Sequence, residues 1–228
     1  DSHQQGMHRG IDSTLIVEPS FQLGKVKYLY SILRSMFSLD EIKNKKWLDI
    51  GSGTGEFILA IKNFTNNNID IIGSEPNLNK QKLANEKKIN TTFIDIDNTN
   101  DKYDFISMLN VYSHIYDPVD FIKKLKRLLK PNGEIFIETS DTVNLTAKQH
   151  YKPFYLPDHL SFASENILKD IFNRNGFKFI SIKKTPLVKG GLYKFIKELV
   201  KIFLPKYKSN LKKMIKFRKT DIFLRFKK

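Results

Sequence analysis

The chain has 228 residues, 40% of them hydrophobic and 28% charged, and its 39 Lys and Arg against 24 Asp and Glu give a formal net charge of +15. That length and apolar content suit a folded domain with a full core and exclude a disordered chain. No run of about 18 apolar residues occurs, which excludes a membrane-spanning helix, and the absence of cysteine excludes disulfides, thiolate catalysis and cysteine-ligated zinc. Asp1–Gly10 is polar and rich in His and Gln, unlike an apolar signal peptide, and the stretch before Met7 reads as a tag remnant. Residues 1–18 are therefore expected to be tag and arm, residues 19–228 a single domain, and the location cytoplasmic.

Pro19 suits a first helical turn, and Phe21, Val26, Leu29, Ile32, Leu33 and Met36 recur near helical spacing, so a helix is expected over 19–38. Trp47–Ile50 is a short apolar run closed by glycines and reads as a first strand, followed by a helix over 57–64. A second strand over 69–73, a helix over 78–88, a third strand over 91–96 and a fourth over 103–109 come next. Asp117 as a cap, Pro118 at the first helical position and Pro131-Asn132-Gly133 as a stop bracket another helix. Strand five is expected over 134–139, then an irregular stretch, a helix from Ser164 to about Asn175, and strand six over 177–183. Ile222–Phe226 alternates like one more strand. Strands separated by helical stretches imply right-handed crossovers and a parallel sheet covered on both faces, a doubly wound α/β domain.

Charge divides the chain unevenly. Residues 183–228 hold 16 Lys and Arg against only Glu198 and Asp221, whereas residues 1–182 hold 23 basic and 22 acidic residues. Leu192–Leu204 reads as a basic amphipathic helix, and a second helical piece crowded with lysine follows Pro205.

The most informative stretch is Trp47-Leu-Asp-Ile-Gly-Ser-Gly-Thr-Gly-Glu-Phe57, a strand running through Gly51, Gly53 and Gly55 into a helix. Glycines there let the backbone turn tightly and pass close to a flat ligand. Glu56 stands where the dinucleotide fingerprint needs its third glycine, and a carboxylate at that helix start opposes a pyrophosphate but not a cation. Asp49 ends the first strand and can accept from an ammonium. Glu75 lies 20 residues beyond Gly55, where this fold places an acid for two ribose hydroxyls, and Asp95 can accept from an adenine amino group. One ligand satisfies all three acids.

These features resemble the class I S-adenosylmethionine-dependent methyltransferases over roughly residues 40–183: the glycine loop Leu48–Gly55, Gly73-Ser-Glu75, Thr92-Phe-Ile-Asp95, Asn110–Pro118 and Leu128–Phe136. The resemblance implies that S-adenosylmethionine is the cofactor, that Asp49 contacts its methionine end, that Gly51, Ser52, Gly53 and Gly55 run beneath it, that Glu75 holds the ribose, and that Asp95 lies near adenine. Pro76 and Asn110 complete the implied set. It also implies a Rossmann-like seven-stranded sheet with an antiparallel last strand beside strand six, so that the basic helices of about 190–219 form an insertion. The nearest branch is that of quinol and sugar O-methyltransferases, with the departure that Ser113 stands where Glu is usual.

Transfer to a hydroxyl needs a base, and histidine suits it. His114 follows strand four on the ligand-binding side of the sheet, and His159 belongs to the proline-punctuated aromatic loop Tyr151–Phe162. The resemblance implies that His159 and Tyr155 face the acceptor. His159 is expected to be the base, with His114 second and Tyr112 a further acceptor contact. No cluster has metal-ligand spacing, so no metal is expected. The expected acceptor is a small hydroxylated molecule, a sugar nucleotide or glycan, with a quinol as a close variant. The basic segment 192–219 is read as a helical cap, as a contact with anionic membrane, or as a binder of a phosphorylated acceptor. A nucleic-acid methyltransferase is disfavoured, because Asn110-Val-Tyr-Ser113 lacks the base-methylating Asn/Asp-Pro-Pro-Tyr/Phe motif. A non-catalytic binding module of the same fold is the remaining alternative.

Overall fold

Central strands of a sheet covered on both faces must be apolar on both sides, and the sequence obeys this closely. The computed structural model describes residues 19–141, 143, 160–186 and 220–228. The expected tag and arm, most of the acceptor loop and the basic segment 187–219 lie outside the described residues. Helices α1 (Leu23–Met36) and α2 (Leu39–Ile42) precede strand β1 (Lys46–Ile50), and then come α3 (Glu56–Phe64), β2 (Asp70–Ser74), α4 (Leu78–Glu86), β3 (Thr91–Thr92) and β4 (Tyr103–Leu109). A single 3-10 turn, Tyr112–His114, leads into α5 (Pro118–Leu128), β5 (Leu129–Ser140), α6 (Glu165–Arg174), β6 (Lys178–Pro186) and β7 (Thr220–Lys227).

The seven strands run in the order β3-β2-β1-β4-β5-β7-β6. The first five pair in parallel, and β7 is antiparallel to both neighbours, inserted between β5 and β6. The order reverses at β1, so a crevice opens between the carboxyl ends of β1 and β4, where ligands of open α/β sheets bind. One face buries Leu48, Ile106, Ile135 and Leu224 under α5 and α6. The other buries Trp47, Phe105, Phe136 and Phe223 under α1 and α3.

Several boundaries differ from expectation for local reasons. The expected helix over 19–38 breaks at Phe37, and α2 restarts on a capping box in which Ser38 and Glu41 exchange side-chain and backbone hydrogen bonds. Strand β3 stops after Thr92, because Asp95 turns the chain by accepting from the Asp97 N–H and the Asn98 amide. Helix α5 ends at Leu128, before the expected stop at Pro131-Asn132-Gly133, and β5 begins at Leu129 rather than at Glu134. Pairing of β5 with β4 begins at Leu129, and the register shift between Tyr103 and Phe105 absorbs those residues as an irregularity.

Arg225, on β7 and 4% exposed, fastens the α1–α2 corner to the sheet. Its guanidinium donates to Glu134 Oε2 at 3.0 and 2.8 Å, to Glu41 Oε1 at 2.9 Å and to the Met36 carbonyl, and lies 4.0 Å from the centroid of the Phe37 ring. Removing one partner of a buried pair leaves the other uncompensated. Arg225→Ala is expected to cost about 3–5 kcal/mol in urea denaturation, and a loss below about 1 kcal/mol contradicts this role.

Candidate active site

The glycine loop is shaped by contacts within the protein as well as by the space it leaves. Gly51, Gly53 and Gly55 all have positive φ, at 67°, 58° and 88°. A Cβ on Gly51 would stand 2.4 Å from Val111 Cγ2, and one on Gly55 would stand 2.7 Å from Ile89 Cγ2. Those two glycines are demanded by packing. A Cβ on Gly53 would meet nothing within 4 Å, so this glycine presents its bare face to open space.

The loop is tied to the end of β2. Gly51 and Ser52 N–H donate to the Ser74 carbonyl at 2.7 and 3.2 Å, and Gly53 N–H donates to Glu75 Oε2 at 2.8 Å. Asn77 N–H donates to Glu75 Oε1 at 3.0 Å, and the Gln81 amide donates to the Glu75 carbonyl at 2.6 Å. Glu75 is thus buried, with both oxygens oriented by backbone donors and lone pairs left over for a pair of hydroxyls. Pro76 beside it is exposed, and Ser52 is buried with its hydroxyl unpartnered among the described residues.

Asp49 closes the floor. It is 2% exposed and accepts at Oδ1 from Ser107 Oγ at 2.6 Å. Burial pushes its carboxyl up to about 7. The Ser107 hydrogen bond and the charge of Lys25 pull it down, and the carboxylates of Glu75 and Glu56 push it further up. Glu56 faces α1 rather than the loop's bare side: it accepts from Thr54 Oγ1 at 2.8 Å and Gln22 N–H at 3.0 Å, and lies 3.8 Å from Lys25 Nζ.

The other side of the crevice is the carboxyl end of β4. Asn110 is exposed with a φ of 58°, and its N–H donates to the Glu138 carbonyl at 3.0 Å. Val111 packs on Gly51, and His114 is half-buried in the following turn. Tyr112, expected to contact the acceptor, is 2% exposed and lies in the apolar core cluster with Ile122 and Leu125 of α5. Asp95 is exposed in the turn after β3, and its turn partners hold its carboxyl below the usual range. His159 and Tyr155 lie outside the described residues. Leu160 and Ser161 N–H, however, both donate to the Ser113 carbonyl, at 2.6 and 3.1 Å, and Ser161 Oγ donates to the Ile115 carbonyl at 3.1 Å. The chain leaving the expected acceptor loop is therefore fastened to the turn that carries His114.

Sequence reasoning missed Ser107, Trp47 and Val111. One signal was available: Ser107 is a lone hydroxyl within the otherwise apolar run Phe105–Leu109 of a central strand. A separate open depression of about 650 Å³, lined by the basic residues Lys123, Lys126, Arg127, Arg174 and Lys228, lies at the carboxyl ends of α5 and α6 and is not part of this site.

A methyltransferase-domain family model matches residues 24–182, and the chain belongs to that family. The chain is 25% identical to a demethylmenaquinone methyltransferase of Staphylococcus carnosus over 180 residues, covering 66% of this chain and 75% of that protein. It is 28% identical to a tRNA U34 carboxymethyltransferase of Aliarcobacter butzleri over 172 residues, covering 69% of this chain and 54% of that protein, so it spans about half the length of that relative. The fold superposes on an S-adenosylmethionine-dependent methyltransferase of Archaeoglobus fulgidus with a TM-score of 0.58 at 21% identity, covering 89% of this chain and 94% of that one. It also superposes on phosphoethanolamine N-methyltransferase 2 of Haemonchus contortus, solved with S-adenosyl-L-methionine, with a TM-score of 0.59 at 16% identity, covering 96% and 55%.

The chain is an S-adenosylmethionine-dependent methyltransferase, and its residues fit that cofactor. The bare face of Gly53 leaves room for a flat nucleoside, Glu75 offers oriented acceptors, and buried acids favour a cation. Gly53→Ala is expected to weaken S-adenosylhomocysteine binding at least tenfold in calorimetry while costing about 1 kcal/mol of stability. Gly51→Ala, which meets Val111, is expected to lose more stability than Gly53→Ala. Equal stability losses, or unchanged affinity in Gly53→Ala, contradict this assignment.

Proposed function

We propose that the chain transfers the methyl group of S-adenosylmethionine to an oxygen of a small hydroxylated acceptor such as a sugar nucleotide or glycan. The observation that carries this reading is the junction of Leu160 and Ser161 with Ser113 and Ile115. It supports an acceptor pocket at the carboxyl edge of β4, beside the turn that carries His114; His159 immediately precedes Leu160 in the sequence. When bound, the cofactor supplies a methyl group activated on a sulfonium. The chain's own residues hold and orient: Glu75 and the Gly53 side of the loop take the ribose, and Asp49 takes the amino end. His159 removes the acceptor proton, with His114 the second candidate. Tyr155 contacts the acceptor. Holding the acceptor oxygen in line about 3 Å from the methyl supplies much of the acceleration, and the base adds roughly 10²–10⁴-fold.

A second reading, methylation of a polyanionic acceptor such as RNA, is favoured by the basic depression at α5 and α6 and by the tRNA-modifying relative. A quinol acceptor follows from the demethylmenaquinone methyltransferase, with 192–219 as the membrane contact. Labelled methyl transfer to sugar nucleotides, quinols and tRNA separates the three, and transfer to sugar hydroxyls is the expected result. With the accepted substrate, His159→Asn is expected to lower kcat at least about 100-fold and remove the acid limb of the pH profile. Full activity in both His159→Asn and His114→Asn contradicts base catalysis by either residue.

A further inference from the structure

Beneath the glycine loop, Trp47, Ser107 and Asp49 form a buried hydrogen-bonded chain. Trp47 Nε1–H donates to Ser107 Oγ at 2.9 Å, and Ser107 Oγ donates to Asp49 Oδ1 at 2.6 Å. Trp47 and Ser107 are fully buried, and Asp49 is 2% exposed. Register explains the meeting: Trp47 and Asp49 point to the same face of β1, and Ser107 of β4 pairs directly with Asp49.

An indole N–H can only donate. The Ser107 oxygen therefore receives from Trp47, and the proton of its own hydroxyl goes to Asp49. With the Ser107 proton on Oδ1, as in this structure, Oδ1 is an acceptor. A proton carried by Asp49 sits on Oδ2, which receives no hydrogen bond from the described residues. The charges facing Asp49 are Lys25 from α1, Glu56 from the start of α3 and Glu75 beyond β2. Two carboxylates and full burial oppose ionisation, against one half-exposed lysine and one hydroxyl.

We propose that this chain loads its cofactor by exchanging a proton for a cation: the ammonium of the methionine end settles against Asp49, Oδ2 releases its proton to water, and Ser107, oriented by Trp47, is the positioning residue that sets how readily this occurs. The inference rests on the methyltransferase reading. The exchange balances at Asp49, where the ammonium's positive charge takes the place of the released proton and the ligand's own α-carboxylate is the same before and after. Loading then depends on pH even where the ligand's ammonium keeps its charge. Below the midpoint near 7, part of the binding free energy goes to deprotonating Asp49, and affinity falls about tenfold for each further pH unit.

Calorimetry of S-adenosylhomocysteine with the full chain, repeated in buffers of different ionisation enthalpy, counts the protons released. The expected count is about half a proton at pH 7, close to one at pH 6 and falling toward zero by pH 8. Ser107→Ala removes the donor to Oδ1, and its release midpoint is expected to rise by about one pH unit. Trp47→Phe, which keeps an aromatic ring in the core, is expected to shift it the same way by less, and serves if Ser107→Ala fails to fold. Asp49→Asn is expected to release no proton. Binding without proton release between pH 6 and 8, or a midpoint that neither variant moves, overturns the inference and leaves the enzyme assignment standing. No binding at any pH overturns both.

Discussion

The site depends on the three hydrogen bonds that tie the glycine loop to the end of β2: Gly51 and Ser52 N–H on the Ser74 carbonyl, and Gly53 N–H on the Glu75 carboxylate. They fix the path of a loop whose glycines have little conformational preference of their own, and they orient Glu75 through the loop it is meant to serve. The fastening works only because β2 gives way. A side chain on Gly73 would put its Cβ 2.4 Å from Ser52 Oγ. Packing closes the loop from outside, with Val111 on Gly51 and Ile89 on Gly55, and leaves one bare face, at Gly53. A preorganised cradle of this kind holds a ligand with little ordering cost at the moment of binding.

The same edge of the sheet concentrates acid. Asp49, Glu56 and Glu75 are all buried there, an arrangement that costs stability unless each carboxylate is hydrogen-bonded or met by a cation. Among the described residues, Glu56 and Glu75 have several donors on the protein, and Asp49 has one hydroxyl. The site thus carries an unfavourable charge that a cationic ligand relieves, a common way for binding sites to trade stability for function. The formal charge of +15 conceals this, because its excess lies in residues 183–228, away from the cradle in sequence. Net charge says little of the cradle, whose chemistry is set by a few buried acids of the opposite sign.

The chain order of elements was legible in the sequence because apolar runs and cap residues carry it locally: Asp117 and Pro118 start α5 as expected, and Ser164 caps α6. The cradle was legible because Gly51–Gly55, Asp49 and Glu75 are spaced along one strand, loop and strand end. What the sequence hid depends on partners far apart in the chain. Ser107 becomes meaningful only when β4 pairs with β1 in a register that sets it opposite Asp49, 58 residues away. Tyr112 sits in a sequence context that suits a pocket, yet the turn after β4 rotates its ring into the core. Glu56, which stands in the place of a fingerprint glycine, receives the backbone N–H of Gln22, the N-cap of α1. Arg225 lies in the most basic fifth of the chain and proves to be a buried tie among Glu134, Glu41 and Phe37.

The most direct test of the cradle is a crystal structure of the full chain with S-adenosylhomocysteine. The account predicts both ribose hydroxyls on the Glu75 carboxylate, the nucleoside against the bare face of Gly53, and the amino group on the Asp49 side of the loop. A nucleoside bound away from Glu75, or one that reaches the protein without passing over Gly53, would contradict it.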